Sequence, residues 1–310
     1  MNITDTKLLG ELMLNSRISL TKLAKKLNIS REVATYRINK LTKEKVILDF
    51  VAEINTEKLG FVGAAVFLNI KASKQKEFQE YLKTCNFVSW VAELSGVWNF
   101  GLSIYDKNNE ELDKKFLTIY NKFKESIINH RFTLHKKSTF FYEKYFGAKR
   151  KQEIKKEVVY KADSKDKLIL KELAKNSRVD YVELSKKIKL SAPAISNRIK
   201  KLKTAGYIKN YSTFVDISKI GLMQYSIFIN NKIDEKEKLL AYLKEHKSIS
   251  FVAEYMGNPF MEFGVFVNSP YKLREVLQEI EEAFPNNKII EISLFQKEFV
   301  SVGPPSYVLE

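Results

Sequence analysis

Cysteine and histidine are scarce in this chain of 310 residues, which has one cysteine, Cys85, and three histidines. A single cysteine cannot form an intrachain disulfide. Neither residue type shows the spacing of a metal site such as Cys-x2-Cys or His-Glu-x-x-His. We therefore expect no disulfide, no metal and no cofactor.

Long apolar segments are also missing. No run approaches the roughly 20 apolar residues that a helix needs to cross a bilayer. The first residues, MNITDTKLLGEL, lack the basic-then-apolar order of a signal peptide. These features predict a cytoplasmic protein that does not associate with a membrane.

The residues that are present indicate a folded, basic protein. Hydrophobic residues make up 45% of the chain, which suffices for globular cores, and its length favours at least two domains. Lys and Arg number 53 against 37 Asp and Glu, a formal net charge of +16. Such a charge attracts nucleic acid, although a lysine-rich surface without any polyanionic partner would give the same count.

The sequence repeats itself with a shift of 161 residues. Asn15-Ser16-Arg17 recurs as Asn176-Ser177-Arg178, and the same shift pairs Val91-Ala92-Glu93 with Val252-Ala253-Glu254. The repeat therefore covers whole modules and indicates a tandem duplication. It predicts five segments: a helix-turn-helix domain at 1–55, an α+β domain at 60–146, a charged linker at 147–163, a second helix-turn-helix domain at 164–216 and a second α+β domain at 221–310.

The first segment of each copy, here called a reading head, has the pattern of three short helices. In the third helix, which opens at the N-cap Ser30, apolar residues recur at Ala34, Ile38 and Leu41, so one face is buried and the other is free. A second helix, a tight turn and a third helix with a polar outer face form a helix-turn-helix, whose last helix enters the major groove of DNA.

The outer face of the third helix supplies the candidate DNA contacts. Asn can bond adenine, Lys can bond guanine or phosphate, and Arg37 and Arg198 suit a bidentate phosphate clamp. The alternative interpretation is an ordinary solvated helix face. The candidates are Arg31, Glu32, Tyr36, Arg37, Asn39 and Lys40 in the first copy, and Ala192, Pro193, Asn197, Arg198, Lys200 and Lys201 in the second.

The two heads differ at the end of this helix. Gly206 can terminate the second by adopting a left-handed conformation, whereas the first has Lys45 at that position, where the same geometry would cost on the order of 1 kcal/mol. We therefore expect the first head to end its helix differently.

Together, the aspartate of the first helix, the Asn-Ser-Arg triplet, the Ser N-cap and the Arg-Ile-x-x-Leu stripe resemble the Lrp/AsnC family, the leucine-responsive or feast/famine regulators. The match runs from Asp5 to Ile47 and again from Asp166 to Ile208. The resemblance implies a winged or helix-turn-helix three-helix domain followed by a ferredoxin-like βαββαβ domain that assembles subunits and binds amino-acid-like effectors.

The βαββαβ order can also be read from the residues. In the first copy, apolar strands near 64–70, 88–94 and 100–105 and a later strand around Phe132 and Leu134 alternate with two amphipathic helices. The second copy repeats the order, with strands near 225–230, 249–255, 263–267 and 289–295 and helices near 235–245 and 271–283. The fold class predicted is α+β, duplicated in tandem.

The resemblance implies an effector-binding turn between the second and third strands, with a glycine followed three residues later by an aspartate. The first copy has Gly96, Trp98 and Asn99 there; the second has Gly257 and Glu262, in a turn that we take to be two residues longer. Both turns could instead be purely structural hairpins.

These features predict a sequence-specific regulator, not an enzyme, whose partners are double-stranded DNA and an amino-acid-like effector. Its heads pair within one chain as a pseudo-dimer or between chains as a homo-oligomer, and their different helices favour an imperfect palindrome. One alternative is a decarboxylase of the haem pathway, since some of those enzymes resemble the same family. It is disfavoured because His130 and His135 have no histidine counterpart in the second copy. Another is an architectural protein that coats DNA with little sequence preference.

Overall fold

The protein is described from a computed structural model, which covers residues 1–150, 158–230, 235–301 and 306–309. Residues 151–157 of the predicted linker and residues 231–234, 302–305 and 310 of the second α+β domain lie outside the described residues. No helix in the described part of the chain is both long and apolar enough to cross a membrane.

Residue contacts divide the chain into two compact units, and each unit takes segments from both repeats. The first, here the head unit, comprises residues 1–61, 146–216 and the C-terminal segment; the second, here the sheet unit, comprises 62–145 and 217–301. The five segments predicted from the sequence follow the order of the two repeats along the chain. Each compact unit instead combines the equivalent segments of both repeats.

The head unit contains three helices from each copy. Their N-termini are capped by side chains that accept a backbone N–H, for example Ser30 from Val33 and Ser191 from Ala194. The helices are α1 (Ile3–Leu14), α2 (Leu20–Leu27) and α3 (Arg31–Lys43) in the first copy, and α7 (Ser164–Lys175), α8 (Tyr181–Ile188) and α9 (Ala192–Thr204) in the second.

Each head continues into a strand that the sequence analysis did not predict, β1 (Ile47–Ile54) or β6 (Ile208–Val215). The two strands pair with each other in an antiparallel two-stranded sheet. Ala52 and Ile54 of the first copy are buried in the core of the second head, beside Ile169 and Leu173 of α7. The two heads therefore share their strands and part of their core.

The expectation that the first head ends its third helix differently is wrong. Lys45 has a φ of 59° and Gly206 a φ of 79°, so both occupy the left-handed position just after the C-cap. The common backbone is retained, and Lys45 bears the steric cost of its Cβ in that conformation.

The sheet unit contains two copies of a βαββαβ domain, which confirms the predicted α+β class. The first copy consists of β2 (Val62–Ile70), α4 (Gln75–Thr84), β3 (Val88–Gly96), β4 (Phe100–Asp106), α5 (Asn109–Phe123) and β5 (Ile127–Phe140), and α6 (Tyr142–Tyr145) follows it. The second consists of β7 (Met223–Asn230), α10 (Lys236–Glu245), β8 (Ile249–Met256), β9 (Met261–Val267), α11 (Pro270–Ala283) and β10 (Lys288–Ser301).

The eight strands of the sheet unit close into one continuous sheet in the order β10-β3-β4-β2-β5-β8-β9-β7. Each copy contributes four neighbouring strands, and β5 with β8 and β10 with β3 join the copies. Phe78 and Phe116 belong to the core between sheet and helices of the first copy. The inner face buries a separate cluster from both copies that includes Phe67, Phe228 and Phe251. The two copies are thus built around a common interior.

Candidate nucleic-acid interface

The recognition helix of the first head, α3, has one buried and one exposed face. Ala34, Ile38 and Leu41 are at most 7% exposed and fix the helix to its own head. Tyr36 is 66% exposed. The other predicted contacts that the structure leaves exposed are Arg31, Glu32, Asn39 and Lys40. These side chains lie along one surface that a DNA groove could meet.

The equivalent helix α9 repeats this arrangement with different chemistry. Ile195, Ile199 and Leu202 form its buried stripe. The exposed predicted residues are Pro193, Asn197, Lys200 and Lys201, and Ala192 is half-buried. The first turn of α3 offers Arg31 and Glu32, whereas the first turn of α9 offers no charged side chain at the equivalent positions. The two heads therefore present different hydrogen-bonding groups at the end of the helix that enters a groove first.

Two of the predicted contacts, Arg37 and Arg198, have partners inside their own heads. The Arg198 guanidinium lies 2.9 Å from the buried carboxylate of Asp166 and 2.8 Å from that of Asp163. Arg37 lies 2.7 Å from Asp5, the equivalent of Asp166. Each arginine thus ties the third helix to the first. The structure does not test the predicted phosphate clamp, but it shows that these guanidinium groups already have carboxylate partners.

The repeated Asn-Ser-Arg triplet joins the two heads. The Ser16 and Ser177 hydroxyls lie 2.5 Å apart. Arg17 donates to the Ser177 carbonyl and, at 2.9 Å, to the Val179 carbonyl, while Arg178 donates to the Ser16 carbonyl at 3.0 Å. Equivalent residues thus contact each other reciprocally, as across a two-fold axis. From the sequence, the triplet served to align the repeats and to carry the family resemblance, and this contact between the heads was missed, although recurrence in both copies was a usable signal.

The paired strands obey the same symmetry. Val51 pairs with Ser212, its own equivalent 161 residues later, at the centre of the β1–β6 ladder. On either side, Phe50 pairs with Thr213 and Ala52 with Tyr211, which are again related by the repeat. A pseudo-two-fold axis therefore passes between Val51 and Ser212. It relates α3 to α9 within a single chain.

In the sheet unit, the predicted effector residues of the first copy are held in a tight hairpin. Asn99 donates to the carbonyl of Ile70 at 3.0 Å and accepts from its N–H at 2.9 Å. Trp98 is 3% exposed and donates from its indole N–H to Glu291 at 2.8 Å. Gly96 has a φ of 135°, and a Cβ there would lie 2.5 Å from the carbonyl oxygen of Ile292. Each of these residues thus has a structural task.

We expected the turn of the second copy to be two residues longer than that of the first, but the two turns have the same length. The backbone hydrogen bond from the Leu94 N–H to the Asn99 carbonyl is matched by one from the Tyr255 N–H to the Phe260 carbonyl, 161 residues later in the chain. Gly257 therefore corresponds to Gly96 and Phe260 to Asn99, while Glu262 lies inside β9. We misread the spacing because we looked for an acidic residue at the position of Asn99. That position holds the apolar Phe260, and the acidic Glu262 lies two residues later.

Glu262 belongs to the interior of the closed sheet. It is 3% exposed and accepts hydrogen bonds from the hydroxyls of Ser226 and Tyr255. Burial raises the pKa of its carboxyl to about 7. In the second copy, then, no acceptor side chain occupies the position of Asn99, and the nearest carboxylate is buried.

Both heads match known helix-turn-helix proteins. A family model described as winged helix-turn-helix DNA-binding matches residues 1–47 and again 163–209. An uncharacterised HTH-type transcriptional regulator of Pyrococcus furiosus is 30% identical over 151 residues, which are 46% of this chain and 95% of that protein. The HTH-type transcriptional regulator LrpC of Bacillus subtilis is 35% identical over 98 residues, 31% of this chain and 68% of that protein.

A solved structure resembles the chain over nearly its whole length. The siroheme decarboxylase NirDL superposes with a TM-score of 0.63, covering 98% of this chain and 94% of that one. The sequences are 14% identical. At that identity the likeness shows a common fold and nothing about activity.

Proposed function

Because the chain belongs to the Lrp/AsnC family of helix-turn-helix transcriptional regulators, we propose that it binds specific double-stranded DNA through α3 and α9 of one chain. The observation that carries the proposal is the pairing of two non-identical heads about a pseudo-two-fold axis. Paired recognition helices of this kind read half-sites about 10 base pairs apart. A regulator of this kind acts on the chromosome, which would place it in the cytoplasm.

The exposed faces suggest which half-site features each head reads. Arg31 suits a guanine edge and Asn39 an adenine edge in the first half-site, and the Tyr36 ring offers an apolar surface to a thymine methyl. In the second half-site, Asn197 suits adenine, and Lys200 suits guanine or phosphate. The operator proposed is therefore an imperfect palindrome, with each half matched to one head.

An amino-acid-like effector is proposed for the turn of the first copy, around Gly96, Trp98 and Asn99. The second copy has Phe260 at the position of Asn99 and lacks the polar side chain that would orient such a ligand. Thermal unfolding in the presence of each of the twenty amino acids tests this. A stabilising amino acid whose effect persists in Phe260→Ala but not in Asn99→Ala supports binding at the first turn. No stabilisation by any of them would contradict it.

The experiment that tests the operator proposal is selection of binding sites from random duplex DNA. It uses the intact chain and two matched double variants at equivalent positions, Tyr36→Ala with Asn39→Ala, and Asn197→Ala with Lys200→Ala. Because one bidentate base contact contributes roughly 1–3 kcal/mol of discrimination, each variant should lose selectivity about tenfold or more in one half-site only. Lys76→Ala, an exposed lysine of α4 in the sheet unit, serves as the control and should leave the motif unchanged.

Three outcomes would contradict this proposal. A symmetric motif that both variants weaken equally would mean that the heads do not read different half-sites. Recovery of unrelated sequences would favour the architectural alternative, in which specific and non-specific affinities are similar. No retained DNA would remove the proposal altogether.

We propose further that the chain is not an enzyme. Inside the closed sheet, the buried carboxyl of Glu262 already accepts hydrogen bonds from Ser226 and Tyr255, and His130 and His135 have no histidine counterpart in the second copy. Incubation with siroheme, followed by absorbance and by mass analysis of the tetrapyrrole, tests this. Loss of carboxyl groups that depends on the protein would contradict it.

Association of whole chains into homo-oligomers is a separate prediction, which light scattering checks.

A further inference from the structure

One ion pair inside the sheet unit joins residues that are equivalent in the two copies. Arg131 pairs in the β2–β5 ladder with Phe67, and Glu291 pairs in the β7–β10 ladder with Phe228, which is the repeat equivalent of Phe67. Arg131 and Glu291 therefore hold the same position in the two domains. The tandem chain has opposite charges there.

These two side chains contact each other directly. Arg131 donates from Nη1 to Oε2 of Glu291 at 2.6 Å, and its Nη2 donates to Oε1, so the contact is bidentate. The guanidinium lies 5.0 Å from the Trp98 ring centre, and Trp98 donates to the same carboxylate. The side chains of the ion pair are 21% and 12% exposed. Because equivalent residues meet, the pair lies at the pseudo-two-fold axis of the sheet unit.

Position on this axis makes the pair selective. If two first copies from different chains paired in the same way, Arg131 would face Arg131. If two second copies paired, Glu291 would face Glu291. Burying like charges together is far less favourable than burying a bonded pair, because each charge loses water without gaining a partner. We propose that the Arg131–Glu291 pair selects association of first with second copies and rejects association of like copies.

A second contact favours the same pairing. Trp90 donates from its indole N–H to Glu298 at 2.7 Å, between β3 of the first copy and β10 of the second. The strand registers make Phe251 the equivalent of Trp90 and Ser138 the equivalent of Glu298. In a pair of second copies, Glu298 would therefore face a phenylalanine, which has no donor for its carboxylate.

The hydrogen bonds at the centre of the head unit do not supply this discrimination. Its central contacts join identical groups, namely two serines and two arginines that bond to backbone carbonyls. Those contacts would form equally well between like heads. Selectivity is useful because the first copy is synthesised before the second, and during that interval it can meet first copies of other chains. The inference concerns only the pairing of copies and holds whether or not the heads bind DNA.

The test exchanges charges in the full-length chain. Arg131→Glu and Glu291→Arg each place like charges on the axis, and the double variant with both changes restores an opposite pair. Each single variant should unfold at lower temperature than the wild type, and the double variant should recover most of the loss. Recovery shows that the two side chains interact, and it also shows that the fold tolerates both substitutions.

Partner choice is then read by mixing the two single variants, each with a different mass tag, and refolding them together. Their first and second copies are complementary only between chains, so they should form a one-to-one heterodimer by native mass spectrometry. Differently tagged wild-type chains are the matched control, because each can pair its first and second copies within one chain, and we expect roughly tenfold more heterodimer from the variants. The inference would be overturned by equal amounts of heterodimer in both mixtures, or by a double variant as unstable as the single ones.

Discussion

Arg198 of the second head could stabilise that head through its ion pairs, or it could bind a DNA phosphate. One substitution distinguishes these two roles. Arg198→Met keeps much of the aliphatic stem but removes the guanidinium that bonds Asp166 and Asp163. The Asp166 side chain is 0% exposed, and among the described residues its remaining partners would be the Tyr160 hydroxyl, 2.6 Å away, and one backbone N–H. We expect the second head to be markedly less stable.

The magnitude follows from the two bonds. A hydrogen bond to a charged group contributes about 1.5–3 kcal/mol, but Asp163 is 51% exposed and adds little. The Arg198 side chain is 28% exposed, so water replaces part of what is lost at Asp166. The free energy of unfolding should therefore fall by about 2–3 kcal/mol. Arg37→Met removes the equivalent bond to Asp5, whose side chain is 10% exposed, and should cost somewhat less.

The assay is urea unfolding followed by circular dichroism, together with DNA affinity at several salt concentrations well below the unfolding transition. We predict that Arg198→Met lowers stability and leaves the dependence of DNA affinity on salt unchanged. A phosphate clamp predicts the opposite, namely unchanged stability and a salt dependence smaller by about one phosphate contact. That second result would refute our interpretation of Arg198.

Further predictions concern backbone strain, a buried carboxyl and the first hairpin. Lys45→Gly should stabilise the chain by about 0.5–1 kcal/mol in urea unfolding by relieving a left-handed residue, whereas Gly206→Lys should destabilise it by a similar amount; changes of the same sign in both variants would contradict this. Burial raises the Glu262 pKa from 4.5 to about 7, so its neutral form stabilises the fold below pH 4.5 and this contribution is lost as the pH rises towards 7. Thermal unfolding should therefore show Glu262→Gln gaining on the wild type across that window, and parallel pH profiles would disprove it. Asn99→Asp keeps the acceptor for Ile70 N–H but sets a carboxylate against the Ile70 carbonyl, and should cost about 1–2 kcal/mol in the same assay, with no change expected if the turn is open to water.

Local features were predictable because they depend on neighbours in the sequence. Ser30 caps a helix that begins where it was predicted, and the stripe containing Ile38 is buried as its spacing indicated. The duplicated ferredoxin-like order was likewise readable from apolar strands and helix faces. Tandem family membership also followed from these motifs.

Features that depend on distant residues were not predictable in the same way. The pairing of β1 with β6 joins segments about one repeat apart, and no local pattern specifies a partner so far away. The ion pair between Arg37 and Asp5 was not predicted, because the position of Arg37 at the edge of a stripe does not reveal a carboxylate on another helix. The second effector turn was misread because only the strand register shows that Phe260, and not Glu262, takes the place of Asn99.

The central claim is that one chain presents two different heads to one operator. The most direct test is affinity cleavage of a selected site by the Cys85→Ser chain, with an iron chelate attached through Tyr36→Cys or Asn197→Cys. We predict that the first chelate cuts one half-site and the second cuts the other, about 10 base pairs away. Cutting of both half-sites by each chelate would show that like heads from two chains bind together and would contradict the claim.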